Sequence, residues 1–187
     1  MFNKGLSLEQ APPVGVPFRF FLSAPLFGVL ISLVFLFFPF AEVSNQYSPK
    51  AIGTVHLFTL GILSMIIFGA MQQMMPVLAS AIIKKPKLFA NIVHPSLVLG
   101  TLFMSFSFIL ELRFFLHIGV LFLSIAFLTF FTVSIRLLFK VEFLTSTVKA
   151  MRLFSVAGLI TLILGLIIAI SHITLNFSTH YYSFVNM

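Results

Sequence analysis

The chain of 187 residues has little charge: only 8% of its residues are Asp, Glu, Lys or Arg, and none is cysteine. Without cysteine it has no disulfide, no thiolate metal site and no covalent c-type heme attachment. Soluble domains carry about 25% charged residues. Here 60% of the residues are hydrophobic and the mean hydropathy is +1.17. This composition predicts a protein of the lipid bilayer.

The sequence lacks the motifs of several functional classes. The sequence has no phosphate-binding loop, dinucleotide fingerprint, Ser-His-Asp signal or HExxH motif, which argues against a nucleotide enzyme or a hydrolase. Glu9, Glu42, Glu111 and Glu142 all lie outside the apolar segments, which argues against a proton-coupled transporter with a buried acid. Residues 1–16 lack a basic start followed by an apolar core, so no cleavable signal peptide is expected.

Five apolar segments are long enough to cross the bilayer, since about 20 residues span its hydrocarbon core. They run approximately over 18–40, 52–79, 88–110, 114–138 and 154–173. Residues 111–113, with the sequence ELR, are so short a link that the third and fourth segments must form an antiparallel hairpin. We therefore predict an all-α integral membrane bundle of five transmembrane helices, forming one domain over 1–187.

The net charge of +7 is read as a topology signal rather than as nucleic-acid binding. Two alternate loops hold only Lys50 and Arg113, while the other side holds nine basic residues: Lys4, Arg19, Lys84, Lys85, Lys87, Arg136, Lys140, Lys149 and Arg152. Basic loops stay in the cytoplasm. The prediction is a multi-pass protein of the bacterial inner membrane, with its N-terminus inside and its C-terminus outside.

Histidines recur at one depth. His56, His117 and His172 each lie about one turn from the outer end of a different span, whereas His94 lies at the inner side and His180 in the outer tail. Ionisable side chains within a membrane are functional candidates by default. A histidine this close to a helix end can equally face water or headgroups.

Imidazole ligates both heme iron and copper. Two facing histidines would hold a b-type heme, with His56 and His172 the preferred pair and His117 the substitute. All three together would suit copper.

The span that begins near His56 carries two further features. Gly61 permits close approach of another helix or of a flat macrocycle, and helix packing is the commoner use. Met65 could belong to a copper path or simply fill a gap in the core. Gln72 and Gln73 lie within a turn of Pro76, where they could bond carbonyls that the proline leaves free.

Residues 55–79, VHLFTLGILSMIIFGAMQQMMPVLA, together with the preceding APPVGVPFRFFLSAPLFG, resemble small bacterial membrane proteins related to subunit I of heme-copper oxidases. They also resemble the related nitric-oxide-response heme/copper proteins of the NnrS type. The resemblance covers about the first 80 residues. It implies that His56 ligates heme iron, followed by the pattern of Gly61 and Met65. An oxidase's dozen helices, adjacent histidine pair and cross-linked His-Tyr are not seen, so the resemblance implies heme binding rather than oxygen reduction or proton pumping.

Three functions follow as hypotheses. The first is a heme b protein in electron transfer or in handling a diatomic gas such as NO or O2, and if it is an enzyme, a heme-dependent oxidoreductase. The second is a copper-binding or copper-handling protein. The third is a cofactor-free structural or assembly subunit of a respiratory complex. Five helices form a thin bundle, so we expect that burying a macrocycle would require a second copy of the chain, in a homodimer.

Overall fold

The computed structural model describes the backbone of residues 8–175 and the side chains of residues 9–168, and this part of the chain is helical without strands. Five helices are long and apolar enough to cross a membrane, which confirms the predicted number of spans. In chain order the elements are a 3-10 turn Leu8–Gln10, α1 Gly15–Phe37, α2 Phe40–Ser44, α3 Pro49–His56, a π-helical segment Leu57–Leu63, α4 Ser64–Ala79, α5 Pro86–Ile109, α6 Arg113–Leu138 and α7 Ser146–Leu175. The segments α3, π and α4 form one continuous spanning helix, Pro49–Ala79.

One predicted boundary differs clearly from the structure. The fifth helix begins at Ser146 rather than near residue 154. The Thr145 hydroxyl accepts a hydrogen bond from the Val148 N–H at 3.2 Å, and the Thr145 carbonyl accepts one from the Lys149 N–H at 3.0 Å. This start is polar, so hydropathy detected only the apolar remainder of the helix.

Sequential helices pack antiparallel, and glycines mark the close approaches. A Cβ placed on Gly69 would lie 3.1 Å from the Phe20 Cβ of α1, and one on Gly53 would lie 2.6 Å from the Ser105 carbonyl oxygen of α5. A Cβ on Gly100 would lie 2.7 Å from the Leu123 backbone nitrogen of α6. These contacts bring backbones together as small residues do in membrane bundles.

The antiparallel packing sorts the charged residues into two ends of the bundle. The basic end comprises the start of α1, the α4–α5 loop and the α6–α7 loop. Its described basic residues are Arg19, Lys84, Lys85, Lys87, Arg136, Lys140, Lys149 and Arg152. Subtracting Glu9 and Glu142 from these eight leaves a net charge of +6 among the described residues.

The neutral end comprises α2, the start of α3 and the α5–α6 turn. Its two basic residues, Lys50 and Arg113, are matched by Glu42 and Glu111. Lys50 Nζ lies 2.5 Å from Glu42 Oε2, which is the single ion pair within residues 9–168. The charge asymmetry predicted from the loops is therefore a property of the folded bundle, although the structure does not show which end faces the cytoplasm.

The predicted hairpin between α5 and α6 closes on a left-handed residue. Glu111 has φ of 57°, and the Leu112 N–H donates to the Ser107 carbonyl at 2.9 Å across it. The left-handed Glu111 terminates α5 just after its last residue, Ile109, and reverses the chain so that α6 begins at Arg113.

Candidate functional site

His56 is the last residue of α3 and is half-buried at the neutral end. Its Nδ1 lies 2.7 Å from the Ile52 carbonyl oxygen. A carbonyl oxygen only accepts, so Nδ1 carries the proton and, in the neutral ring, Nε2 carries a lone pair. This bond is the arrangement that fixes the tautomer and orientation of metal-ligating histidines. Nε2 makes no hydrogen bond to any described residue.

The π-helical segment Leu57–Leu63 begins directly after His56. Directly after it, the Ser64 N–H and the Ser64 hydroxyl both donate to the Thr59 carbonyl, the hydroxyl at 3.0 Å. Segments of π-helix are rare and are often found at functional sites. The apolar pattern of this span gave no sign of one, because changing the hydrogen-bond register leaves the composition of a lipid-facing helix unchanged.

The neighbouring helix α5 supplies the other side of the His56 environment. The Phe108 ring stacks on the imidazole, with ring centroids 5.4 Å apart and an interplanar angle of 20°. One turn earlier, the α5 face that meets α3 at Gly53 carries Ser105, and the next residue on that face is Thr101. Ser105 Oγ and Thr101 Oγ1 are fully buried and have no hydrogen-bond partner among the described residues.

Gly61 and Met65 are both buried in a single copy of the chain. A Cβ on Gly61 would overlap the Phe27 ring of α1, so this glycine accommodates that ring. Met65 is 0% exposed and belongs to the hydrophobic core. The space beside these two residues is thus occupied by protein atoms, as the helix-packing interpretation expects.

The other two predicted ligands are placed less centrally. His117 is exposed on α6, and its Nδ1 lies 3.1 Å from its own helix's Arg113 carbonyl. The backbone of His172 belongs to α7, but the structure does not describe its side chain. His180 lies outside the described residues altogether. Within the described part of the chain, no three side chains of His, Cys, Asp or Glu converge as a metal-binding group.

A second polar site, at the basic end, was not singled out from the sequence. His94 Nε2 of α5 lies 2.8 Å from the Ser23 hydroxyl of α1, and the Phe20 ring meets the imidazole edge-on at 4.9 Å. Arg19 Nη1 donates to Asn91 Oδ1 at 2.6 Å between the same helices. Apart from the Lys50–Glu42 ion pair between α2 and α3, these are the two side chain–side chain hydrogen bonds between helices in the described range, so the pair α1–α5 is joined by polar contacts.

The four hydrogen-bonding residues form two pairs with helical spacing, a pattern that could have signalled the site. Arg19 and Ser23 are four residues apart on α1, and Asn91 and His94 are three apart on α5. Each pair therefore lies on one helix face. Polar pairs with helical spacing in two apolar segments indicate facing surfaces, although the sequence alone does not say which segments face each other.

Gln72 lies deep in the bundle and does not act as the sequence suggested. Its side-chain N–H donates to the Phe68 carbonyl at 3.1 Å, whereas the carbonyl that Pro76 frees is that of Gln72 itself. Its Oε1 is buried without a partner among the described residues, as is Ser134 Oγ of α6. Phe68 and Phe130 stack at 3.7 Å, so Gln72 and Ser134 each lie one turn beyond the same stacked pair.

A comparison of the chain with protein-family models, with curated proteins and with solved structures finds no match in any of the three. The resemblance to heme-copper oxidase relatives therefore stays a prediction.

Proposed function

We propose that this membrane protein binds a b-type heme through His56, with its basic end in the cytoplasm of a bacterium and His56 near the outer face of the inner membrane. The observation that carries the proposal is the state of the His56 ring. Nδ1 is held by the Ile52 carbonyl, Nε2 is free to ligate, and Phe108 covers one face of the imidazole. The orientation rests on the net charge of +6 at the basic end against zero at the other.

The surroundings of His56 suit a histidine that serves as one axial ligand of a heme. The Ile52 carbonyl orients the imidazole through Nδ1, and Phe108 of the neighbouring helix covers one of its faces. A bound heme would supply one-electron chemistry, or a coordination position for a diatomic gas where one axial site stays open. The chain's own contribution is to orient His56 and to keep the surrounding helix surface apolar.

The fit is incomplete within a single copy, because Phe27 occupies the space beside Gly61 and Met65 is wholly packed. On α7, the described residues that precede His172 include a row of exposed apolar side chains. Ile160, Leu164 and Ile168 are 53%, 55% and 59% exposed. We propose that a second copy covers the macrocycle, and that the second axial ligand is His172, the ligand preferred from the sequence.

The direct test is an optical spectrum of protein purified from heme-replete cells. Binding predicts a Soret band and, after reduction with dithionite, sharp α and β bands. A bis-histidine iron suits electron transfer, whereas a single histidine leaves a site for NO. Adding NO to the reduced protein distinguishes the two, since only the open iron changes its spectrum at once. A featureless visible spectrum would remove the heme proposal.

A cofactor-free structural subunit is the second candidate, and the dense packing at Gly61 and Met65 is the observation that favours it. It predicts that the fold and any partner complex survive replacement of His56, His117 and His172 together. The copper alternative needs His117 and His172 beside His56, and elemental analysis against that same triple variant tests it.

A further inference from the structure

The basic end carries more positive charge than the protein itself neutralises. Lys85 and Lys87 are exposed, and neither forms an ion pair with a described residue. Glu9 and Glu142 are the two acidic residues described at this end. Charged residues at a membrane surface with no partner of their own attract anions from the solvent or from the lipid leaflet.

Lys85 and Lys87 border an open depression of about 420 Å³ between the starts of α1 and α5. Its other lining residues are apolar: Pro13, Pro86 and Leu88. A site with a basic rim and apolar walls is matched to a molecule with an anionic head and an apolar body.

A second cation lies one turn deeper between the same two helices. Asn91 follows Lys87 by four residues, which is about 6 Å along the axis of α5. There Arg19 Nη1 donates to Asn91 Oδ1, and Arg19 Nε donates to the Gly15 carbonyl at 3.0 Å. Arg19 Nη2 has no partner among the described residues. A guanidinium at this depth is stabilised by contact with a phosphate group of the leaflet.

Apolar surface continues from the depression toward the middle of the bilayer. On α5, Leu88 and Ile92 are 53% and 40% exposed. On α1, Phe18 and Leu22 are 50% and 59% exposed. Leu88 and Phe18 lie at the level of the cations, and Leu22 and Ile92 lie one turn further into the bilayer, so each of the two helices offers exposed apolar surface to an acyl chain.

We propose that Lys85, Lys87 and Arg19 form a binding site for the phosphodiester headgroup of an anionic phospholipid, whose acyl chains lie along α1 and α5. The lysines contact the headgroup at the surface, and Arg19, held by Asn91, reaches the phosphate from below. The similar depression at the α6–α7 loop is bordered by Lys140 but also by Glu142, whose carboxylate repels a phosphate. The site is therefore specific to one pair of helices and does not depend on heme binding.

The test titrates purified, delipidated protein with phosphatidylglycerol in detergent, and counts bound lipids by native mass spectrometry. The double variant Lys85→Gln/Lys87→Gln is compared with the matched variant Lys140→Gln/Lys149→Gln, which removes the same charge from the same end. Each lysine near an anionic surface contributes a factor of about five in affinity, so the first variant should bind about 25-fold more weakly. The matched variant should keep the tightest-bound lipid.

Three results would overturn the proposal. Equal weakening in both double variants would indicate diffuse attraction to the basic end. Equal binding of phosphatidylcholine would show that the headgroup charge is not recognised. Full displacement by inorganic phosphate would assign the site to a free anion. Arg19→Gln provides an independent variant from another helix, and circular dichroism with size-exclusion chromatography checks that each variant is folded.

Discussion

The His56 imidazole lies nearly parallel to the Phe108 ring, with centroids 5.4 Å apart and 20° between the planes. The contact joins the end of α3 to α5, immediately before the helix changes to π geometry. On its own helix the same imidazole is held by the Ile52 carbonyl. The ring is thus oriented by two helices while Nε2 is left without a described partner, which makes His56 the side chain on which the proposed function depends.

Replacing His56 tests that dependence most directly. His56→Ala should remove most of the heme from the purified protein because it deletes the proposed axial ligand. His117→Ala is the matched control, since the His117 ring makes the same bond to the carbonyl four residues earlier but is exposed, and no described aromatic ring stacks on it. The heme-to-protein ratio measures both. Equal heme content in the wild type and in His56→Ala would reject this ligand.

Gly61→Ala should destabilise the fold by about 1–3 kcal/mol, because the added methyl overlaps the Phe27 ring in a packed interface. Gly165→Ala on α7 is the control, since its Cβ would meet nothing within 4 Å. That change should be neutral or stabilising by up to about 1 kcal/mol. Thermal unfolding in detergent compares them. Matching transition temperatures for the two variants would contradict the close packing of α1 on the π-helical segment.

The hydrogen bond between Ser23 and His94 should show a measurable coupling energy. Interhelical hydrogen bonds in membrane proteins contribute about 0.6 kcal/mol on average and reach about 1.7. A double-mutant cycle of Ser23→Ala and His94→Leu measures this term by unfolding in detergent. Ser32→Ala replaces Ser23→Ala in the control cycle, because the Ser32 hydroxyl bonds only to its own helix at Gly28. Strictly additive effects in the first cycle would show that the bond does not form.

Gln72→Met should be neutral or stabilising by about 1 kcal/mol. The change keeps the length of the side chain and removes a buried oxygen that has no described partner. Gln73→Met is the control, because Gln73 is exposed and has no buried polar atom to relieve. A clear loss of stability in Gln72→Met, measured by unfolding, would instead indicate that Gln72 Oε1 holds a buried water or another bound group.

Glu111→Gly should raise stability by about 0.5–1 kcal/mol, since Glu111 has φ of 57° and glycine adopts that conformation without steric cost. Leu110→Gly is the neighbouring control, because Leu110 has φ of −100° and gains nothing from glycine. Chemical unfolding in detergent compares the two. Destabilisation by Glu111→Gly equal to that of Leu110→Gly would contradict the left-handed turn.

Much of the fold could be predicted because the bilayer imposes one-dimensional rules. A continuous apolar run of about 20 residues must be a helix, since no other open structure satisfies its backbone in lipid. The five spans, the short hairpin at residues 111–113 and the separation of basic from neutral ends followed from that rule and from the positions of lysine and arginine. The start of α7 could not be predicted in this way because its first turns are polar.

The candidate site could be predicted only in part. His56 was identified because an imidazole inside an apolar span is conspicuous, but its partners Ile52 and Phe108 carry no distinctive signal in the sequence. The π-helical segment, the joining of Arg19 to Asn91 and the burial of Gln72 depend on which helix faces meet. The spans are apolar around nearly their whole circumference, so hydrophobic periodicity is weak and does not specify the contacts.

The amino-acid sequence by itself determined that the chain is a five-helix membrane bundle with one basic end, because hydropathy and charge act on each segment separately. Only the tertiary structure decided that the Phe27 ring of α1 packs against Gly61 and that His94 hydrogen-bonds to Ser23. It also decided that the His56 ring stacks on Phe108 while its Nε2 has no described hydrogen-bond partner. These contacts depend on how each helix is rotated about its axis and how closely it packs on its neighbours. The composition of a single helix does not encode either.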